Sequence, residues 1–308
     1  MIELQNVTKM YGKVIGVNDI TLTMEPGAYG LLGPNGSGKS TLLNLIMGQL
    51  KPTLGSIRVF GGSPENNNRL YRRLGYCPSS EGMYAGISGF EWVRYLQRLQ
   101  GMSKRDANQA TEQALELVGM REGMHREIST YSRGMRQRTK MAQAIAHDPD
   151  FLILDEPFNG LDPIGRHEMT VALKTWIAQG KSVMLASHVL HEVESITRSF
   201  LLICGGRLLA SGTAEEVHRL LVDLPNDLTL RTNRPDRLAK LVAEHQMADS
   251  FSIQTDRLVV STRSPANLLA ELPNWIAAEG IEVDEVRSAD ESLQELFNSL
   301  LKIHRGEI

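Results

Sequence analysis

Apolar and polar positions alternate in short runs through residues 2–30, as IELQNV and then VNDITLTM, and break at the turn Glu25-Pro26-Gly27. A period of two predicts half-buried strands. A further strand ends at Leu31-Leu32 and runs straight into Gly33-Pro34-Asn35-Gly36-Ser37-Gly38-Lys39. From Lys39 the period lengthens. Leu42, Leu43, Ile46 and Met47 recur at helical spacing, and Gly48 stops the run. SIRVF (56–60) and LGYC (74–77) read as strands again.

Residues 88–147 change character. Apolar side chains recur every three to four positions, and Ser103-x-x-Asp106 has the form of a helix start. A helical insert is expected over about 80–147. Strands return as FLILD (151–155), SVMLAS (182–187), SFLLIC (199–204) and RLLAS (207–211), with helices between the first pairs. That alternation predicts an α/β domain with a largely parallel sheet, over residues 1–222. Leu224-Pro225-Asn226-Asp227 reads as a linker. Beyond it, over 225–308, the order is strand (LTLRT), helix (235–246), strand (FSIQT), strand (RLVVST), helix (265–279), strand (IEVDEVR). This βαββαβ order matches the ferredoxin-like pattern of a small α+β domain. A last helix is expected from about Glu291 to Ile303.

Composition narrows the picture. A chain of 308 residues with 42% hydrophobic content suffices for one large domain and a small one. A net charge of −3 argues against a direct nucleic-acid partner, which a clustered basic excess would announce. The two cysteines, Cys77 and Cys204, sit in apolar contexts and read as buried thiols. Met1-Ile2-Glu3-Leu4 is a strand pattern without the basic start of a signal peptide. The longest apolar runs, Phe151–Leu154 and Phe200–Cys204, fall far short of the roughly 20 residues that span a bilayer. The expectation is a soluble cytoplasmic protein that meets a membrane only through a partner.

Two segments carry chemistry. Gly33-Pro34-Asn35-Gly36-Ser37-Gly38-Lys39-Ser40 fits GxxxxGKS/T, between a strand and a helix. Glycines let backbone N–H groups curl around phosphate oxygens, and the helix N-terminus adds partial positive charge. Lys39 is placed to reach the β- and γ-phosphates, Ser40 to hold Mg²⁺ and Thr41 to bond another phosphate oxygen. In Phe151-Leu-Ile-Leu-Asp155-Glu156, a buried strand delivers Asp155 at its carboxyl end, where open α/β sheets bind ligands. Asp155 would orient the Mg²⁺ shell, and Glu156 would polarise an attacking water.

Further segments resemble one family. Tyr131-Ser132-Arg133-Gly134-Met135-Arg136-Gln137-Arg138 resembles the signature LSGGQ of ABC ATPases. Asp155-Glu156-Pro157 with Asn159-Gly160-Leu161-Asp162-Pro163 resembles their Walker B and D-loop pair, Ser187-His188 their switch histidine, and Tyr11 their adenine-stacking aromatic. The features keep the family's order, and the resemblance covers residues 1–220. It implies a P-loop NTPase core with an antiparallel β subdomain and the helical insert. It also implies a homodimer or heterodimer of nucleotide-binding domains, with Ser132 and Gly134 of one subunit contacting ATP held by the other. A separate transmembrane permease subunit would place the protein on the inner face of the cell membrane. Asp290-Glu-Ser-Leu-Gln-Glu-Leu-Phe297 resembles the tail of subunits serving ABC-2 type exporters.

Plainer roles stand beside these. Tyr11 also suits a surface turn, His188 a strand end, and Asp162 a helix N-cap before Pro163. His125, His147, His167 and His191 show no ligand spacing and are expected at the surface. Two departures stand out. Aligning Gly75-Tyr76-Cys77-Pro78 on the family's GlyTyrXaaPro puts Ser79 where a metal-binding Gln is usual, with Ser80 or Glu81 as alternatives if the register slips. Arg133 replaces the first signature glycine. A non-transport ABC ATPase acting on a macromolecular complex is the rival class. Those carry long coiled coils or tandem ATPase units, and this sequence shows neither.

Overall fold

Burial that alternates along Ile2–Tyr11 (β1) and Val14–Met24 (β2) reflects a sheet packed on one face only. A computed structural model describes residues 1–80, 82–213, 216 and 226–288. In it β1 and β2 pair antiparallel, and β4 (Leu54–Val59) adds to the other edge of β1, giving the order β2-β1-β4. Both β1 and β2 run further toward the Gly12-Lys13 turn than the alternation suggests. Register shifts between Leu4 and Met10 break the period there.

The second sheet of this unit has the order β5-β6-β7-β3-β8-β9. Its members are β3 (Ala28–Leu32), β5 (Leu74–Cys77), β6 (Phe151–Asp155), β7 (Ser182–Ser187), β8 (Ser199–Cys204) and β9 (Arg207–Thr213), and all pairs but β8–β9 are parallel. Every residue of β6 and of β7 is buried, which explains their unbroken apolar runs. Phe151 and Ile153 join one core with Leu42, Leu43 and Ile46 of α1 (Lys39–Ile46) and with Ile2, Leu4 and Ile57 of the antiparallel sheet. Helix α1 is thereby fixed between the two sheets, with its first turn at the carboxyl ends of β3 and β6. A short α2 (Asn68–Tyr71) precedes β5.

The insert between β5 and β6 holds α3 (Gly89–Leu99), α4 (Lys104–Leu117), a 3₁₀ turn (Ile128–Thr130) and α5 (Arg133–Ile145). Ser88 and Glu91 form a reciprocal capping box on α3, and the Ser103 hydroxyl accepts the Asp106 N–H at 3.1 Å at the start of α4. Helix α6 (Pro163–Ala178) joins β6 to β7, and α7 (Leu190–Glu194) follows β7. Cys77 and Cys204 are both buried. No helix among the described residues is long and apolar enough to cross a membrane.

The chain divides into two compact units, Met1–Thr213 and Ala214–Ile308. In the second, taken by itself, the order is β10 (Asn226–Thr232), α8 (Pro235–Glu244), β11 (Ser250–Gln254), β12 (Arg257–Thr262), α9 (Pro265–Glu279) and β13 (Val283–Ser288). The antiparallel sheet has the order β11-β12-β10-β13, and Leu228, Leu230, Leu258 and Val260 pack against Leu238, Val242, Leu268 and Leu272 of the helices. Of the expected linker, Asn226 and Asp227 already belong to β10. Leu224-Pro225, Glu81, the tail motif 290–297 and the helix expected over 291–303 lie outside the described residues.

Candidate functional site

The loop 33–38 leaves β3 and turns into α1 without a side-chain cap, so the first N–H groups of the helix stay open to a ligand. Gly38 has φ 108, and a Cβ there would stand 2.4 Å from the Gly16 carbonyl oxygen. Only glycine fits both demands. Lys39 Nζ donates to the carbonyls of Gly33 at 2.7 Å and Pro34 at 3.2 Å. Burial holds its pKa below the usual lysine value, while the charges of Glu156 and Asp155 pull it back up. Ser37 is buried, and its Oγ has no hydrogen-bond partner among the described residues. A cation held by loop carbonyls beside bare N–H donors is a receptor for an anion.

Asp155, at the end of β6, is 2% exposed. Its Oδ2 accepts the Ser40 hydroxyl at 2.9 Å and the Ser79 hydroxyl at 3.0 Å. The residues expected to hold Mg²⁺ thus converge on one oxygen. A carboxylate with two hydroxyls is a hard oxygen set that fits Mg²⁺, which keeps waters and takes phosphate oxygens for the rest. Such an ion would supply positive charge against the phosphates.

Glu156 adopts a left-handed backbone, φ 52, uncommon for a residue with a Cβ. Its N–H donates to the Ala186 carbonyl at 2.9 Å, which holds this turn against β7. Its carboxylate oxygens lie 2.9 and 3.0 Å from His188 Nδ1. A carboxylate only accepts, so Nδ1 is the protonated nitrogen.

An open pocket of about 470 Å³ gathers these groups: Asn35 through Thr41, Ser79, Asp155, Glu156 and, at its mouth, Tyr11 with Val14 and Ile15. Tyr11 is 46% exposed, and its ring lies over Gly16 beside Thr41, where a Cβ on residue 16 would meet Tyr11 Cε2 at 2.8 Å. Ser132, Gly134 and Asp162 do not line this pocket. Ser132 caps α5 by accepting the Met135 N–H at 3.2 Å, and Asp162 caps α6 by accepting the Gly165 N–H at 2.8 Å. Gly134 approaches Gly160, whose carbonyl oxygen would stand 3.2 Å from a Cβ on residue 134. Arg133 is exposed.

A pattern described as ABC transporter matches residues 17–159. The bacitracin transport ATP-binding protein BcrA of Enterococcus faecalis is 33% identical over 306 residues, spanning 98% of this chain and 96% of the relative. The chain belongs to the ATP-binding subunits of ABC transporters. The Nod factor export ATP-binding protein I of Cupriavidus pinatubonensis is 33% identical over 88% of this chain and 83% of its own length. A solved structure of an ABC transporter ATP-binding subunit matches with a TM-score of 0.66 and 26% identity, covering 72% of this chain and 93% of that one. A bacterial ABC transporter cassette solved as a dimer shares the fold, with a TM-score of 0.64 at 23% identity. This ABC subunit is an ATPase.

Several residues shape the ABC site without a sequence signal. Lys140, in the middle of α5, is 3% exposed and donates to the carbonyls of Pro78 at 2.8 Å, Ser79 at 3.4 Å and Ser80 at 3.2 Å. Gln137, one turn earlier, donates to the Pro157 carbonyl at 2.8 Å. Both read locally as ordinary polar positions of a helix, and only the fold brings the carbonyls to them. His147 corrects an expectation. It is half-buried rather than at the surface, because its Nε2 donates to the Leu74 carbonyl at 2.8 Å at the start of β5. Its Nδ1 is buried without a partner among the described residues, and burial lowers its pKa.

Proposed function

We propose that this subunit powers an exporter of the ABC-2 type, and that two nucleotide-binding domains close head to tail over ATP·Mg²⁺ to drive a separate permease. The observation that carries the reading is the convergence of Ser40, Ser79, Asp155 and Glu156 in the pocket of the phosphate loop, with His188 bonded to Glu156 beside it. In this reading the adenine stacks on Tyr11, worth on the order of 1–3 kcal/mol. Lys39 and the N–H groups of Gly33 and of 35–41 bind the phosphates, and Glu156 orients the attacking water with His188 fixing its carboxylate. Ser40 and Asp155 hold the ion, with Ser79 in the place of the usual glutamine.

The exposed positions of Ser132 and Asp162, with Gly134 half-buried between them, favour contact with a second subunit, since none of them lines the pocket of its own chain. The relatives named for bacitracin transport and Nod factor export support an export role. A groove of about 710 Å³ lined by Tyr71, Tyr76, Leu96 and Leu99 offers an apolar seat to a helix of the permease. The membrane is then reached from its inner face through that permease. The ATPase domain would span 1–222 and an accessory domain 225–308, whose strand order 2-3-1-4 is that of ferredoxin-like folds.

The test is Glu156→Gln. Hydrolysis should fall by roughly 10²–10⁴, the usual worth of a positioned base, while ATP binding persists and the protein accumulates as an ATP-dependent dimer on gel filtration. Normal turnover by a monomer at saturating ATP would refute both the base and the closed dimer.

A further inference from the structure

The two edges of the second unit's sheet, β11-β12-β10-β13, are built differently. A sheet edge leaves a row of N–H and C=O groups open to another chain, and folds guard it with charge, proline or a bulge. Strand β13 (VDEVRS) carries Asp284, Glu285 and Arg287, and Arg287 pairs with Glu285. Strand β11 (SFSIQ) carries no charge and no proline, and it pairs with β12 without a register shift. All of its residues are exposed. Phe251 stands opposite Val260 and Ile253 opposite Leu258, so both point to the face that α8 and α9 cover. Val260 and Leu258 are fully buried there, whereas Phe251 and Ile253 remain 45% and 46% exposed. The apolar face of this sheet therefore runs out to its unguarded edge.

We propose that two copies of this chain pair antiparallel through β11, edge to edge, without nucleotide. The strand is complementary to itself. A two-fold pair centred on Ser252 sets Phe251 against the partner's Ile253 and Ile253 against the partner's Phe251, an aromatic on a β-branched side chain at both positions. It also sets Ser250 against the partner's Gln254, so no like charges meet. The apolar rows then continue unbroken: Leu228, Val260 and Phe251 lead on to the partner's Ile253 and the partner's Leu258. A shift of one residue sets Phe251 and Ile253 against serine or glutamine and turns the partner's apolar face away. Any extended peptide can hydrogen-bond to an open edge, but this register selects a second copy. The shared edge is small, so the association is weak and transient. Two subunits joined in this way stay at high effective concentration while their ATPase units are apart. The pairing itself does not rest on the reading of the ATP site.

Sedimentation of the full chain over a concentration series, with no nucleotide present, tests this apart from any closure over ATP. A monomer–dimer equilibrium is expected. Phe251→Lys combined with Ile253→Lys sets like charges opposite one another across the axis and should weaken the dimer by roughly tenfold or more. Val286→Lys, on the other edge and 44% exposed in the wild type, should leave it unchanged. Crosslinking under a mild oxidant reads the register. Ser252→Cys faces the partner's copy of itself within disulfide range and should form a covalent dimer. Ser250→Cys faces the partner's Gln254 and should not. Cys77 and Cys204 are buried and stay out of the reaction. A chain that stays monomeric up to about 1 mM, the weak end of specific affinity, overturns the proposal. A dimer that the paired lysines leave intact, or that Val286→Lys weakens equally, overturns it too. So does equal crosslinking of Ser252→Cys and Ser250→Cys, which is the mark of random collision.

Discussion

Ser79 donates its hydroxyl to Asp155 Oδ2 across 3.0 Å, from a loop 76 positions earlier in the chain. The contact places the Ser79 hydroxyl on the carboxylate expected to orient Mg²⁺. Serine is shorter than glutamine, so its hold on an ion there would be weaker than the family's usual residue provides, or would pass through a water. Ser79→Gln should lower the Mg²⁺ concentration for half-maximal ATP hydrolysis, and Ser79→Ala should raise it. Each tenfold change corresponds to about 1.4 kcal/mol. Titrating Mg²⁺ against the two variants and Glu81→Ala decides the register. Damage confined to Glu81→Ala would move the role to that residue.

Lys39→Ala should abolish ATP binding, measured by fluorescence with a nucleotide analogue, because no other cationic side chain among the described residues lines this pocket. Wild type carries a pH signature of the same residue. Burial lowers the Lys39 pKa from the usual 10.5. Bound phosphate favours the ammonium and raises it again. Affinity for ATP is therefore complete below the lowered pKa and falls as pH rises through it. The fall should begin at lower pH than an ordinary lysine would give. Flat affinity up to the usual lysine range would contradict this burial effect.

Ser132 should act across the dimer. In a mixture of Ser132→Arg and Lys39→Ala subunits, one composite site of the heterodimer carries both lesions and the other is intact. ATPase activity should return in the mixture although each variant alone is inactive. A tethered pair that never recovers would place Ser132 in its own subunit's site or demand two working sites.

His147 links stability to acid. Its folded pKa lies below the 6.5 of an exposed imidazole, chiefly through burial. The stability it contributes is full above 6.5 and is lost as pH falls through the lower folded value. His147→Gln should unfold at a temperature that depends less on pH between neutrality and mild acid. Parallel melting curves of wild type and variant across that range would exclude the effect.

The contiguous features were readable in advance. GxxxxGKS, FLILDE and the strands SVMLAS, SFLLIC and RLVVST stand in the fold at the positions expected, because each is specified by neighbours in the chain. Ser79 was reachable through Gly75-Tyr76 and Pro78. Lys140, Gln137 and His147 were not, since each is buried by a carbonyl far away in sequence: Pro78, Pro157 and Leu74. The pairing of β1 with β2 up to Tyr11 was obscured by its bulges. The hydrogen bonds from Arg166 to Glu192 and from Ser187 to Glu192 depend on the geometry of α6 against α7, which no local period reports.

The ammonium of Lys140 gathers the carbonyls of Pro78, Ser79 and Ser80 from the middle of α5. That helix starts at Ser132, so one rigid rod has its tip at the surface expected to meet the neighbour's nucleotide and its shaft clamped to the loop bearing Ser79. On the dimer reading, turning the rod would drag the loop, and with it the hydroxyl on Asp155. The geometry is that of a crank: a displacement of the tip by one subunit's nucleotide would alter the ion's surroundings in the other. Two sites joined in this way would sense each other's occupancy mechanically, with no charge passed between them.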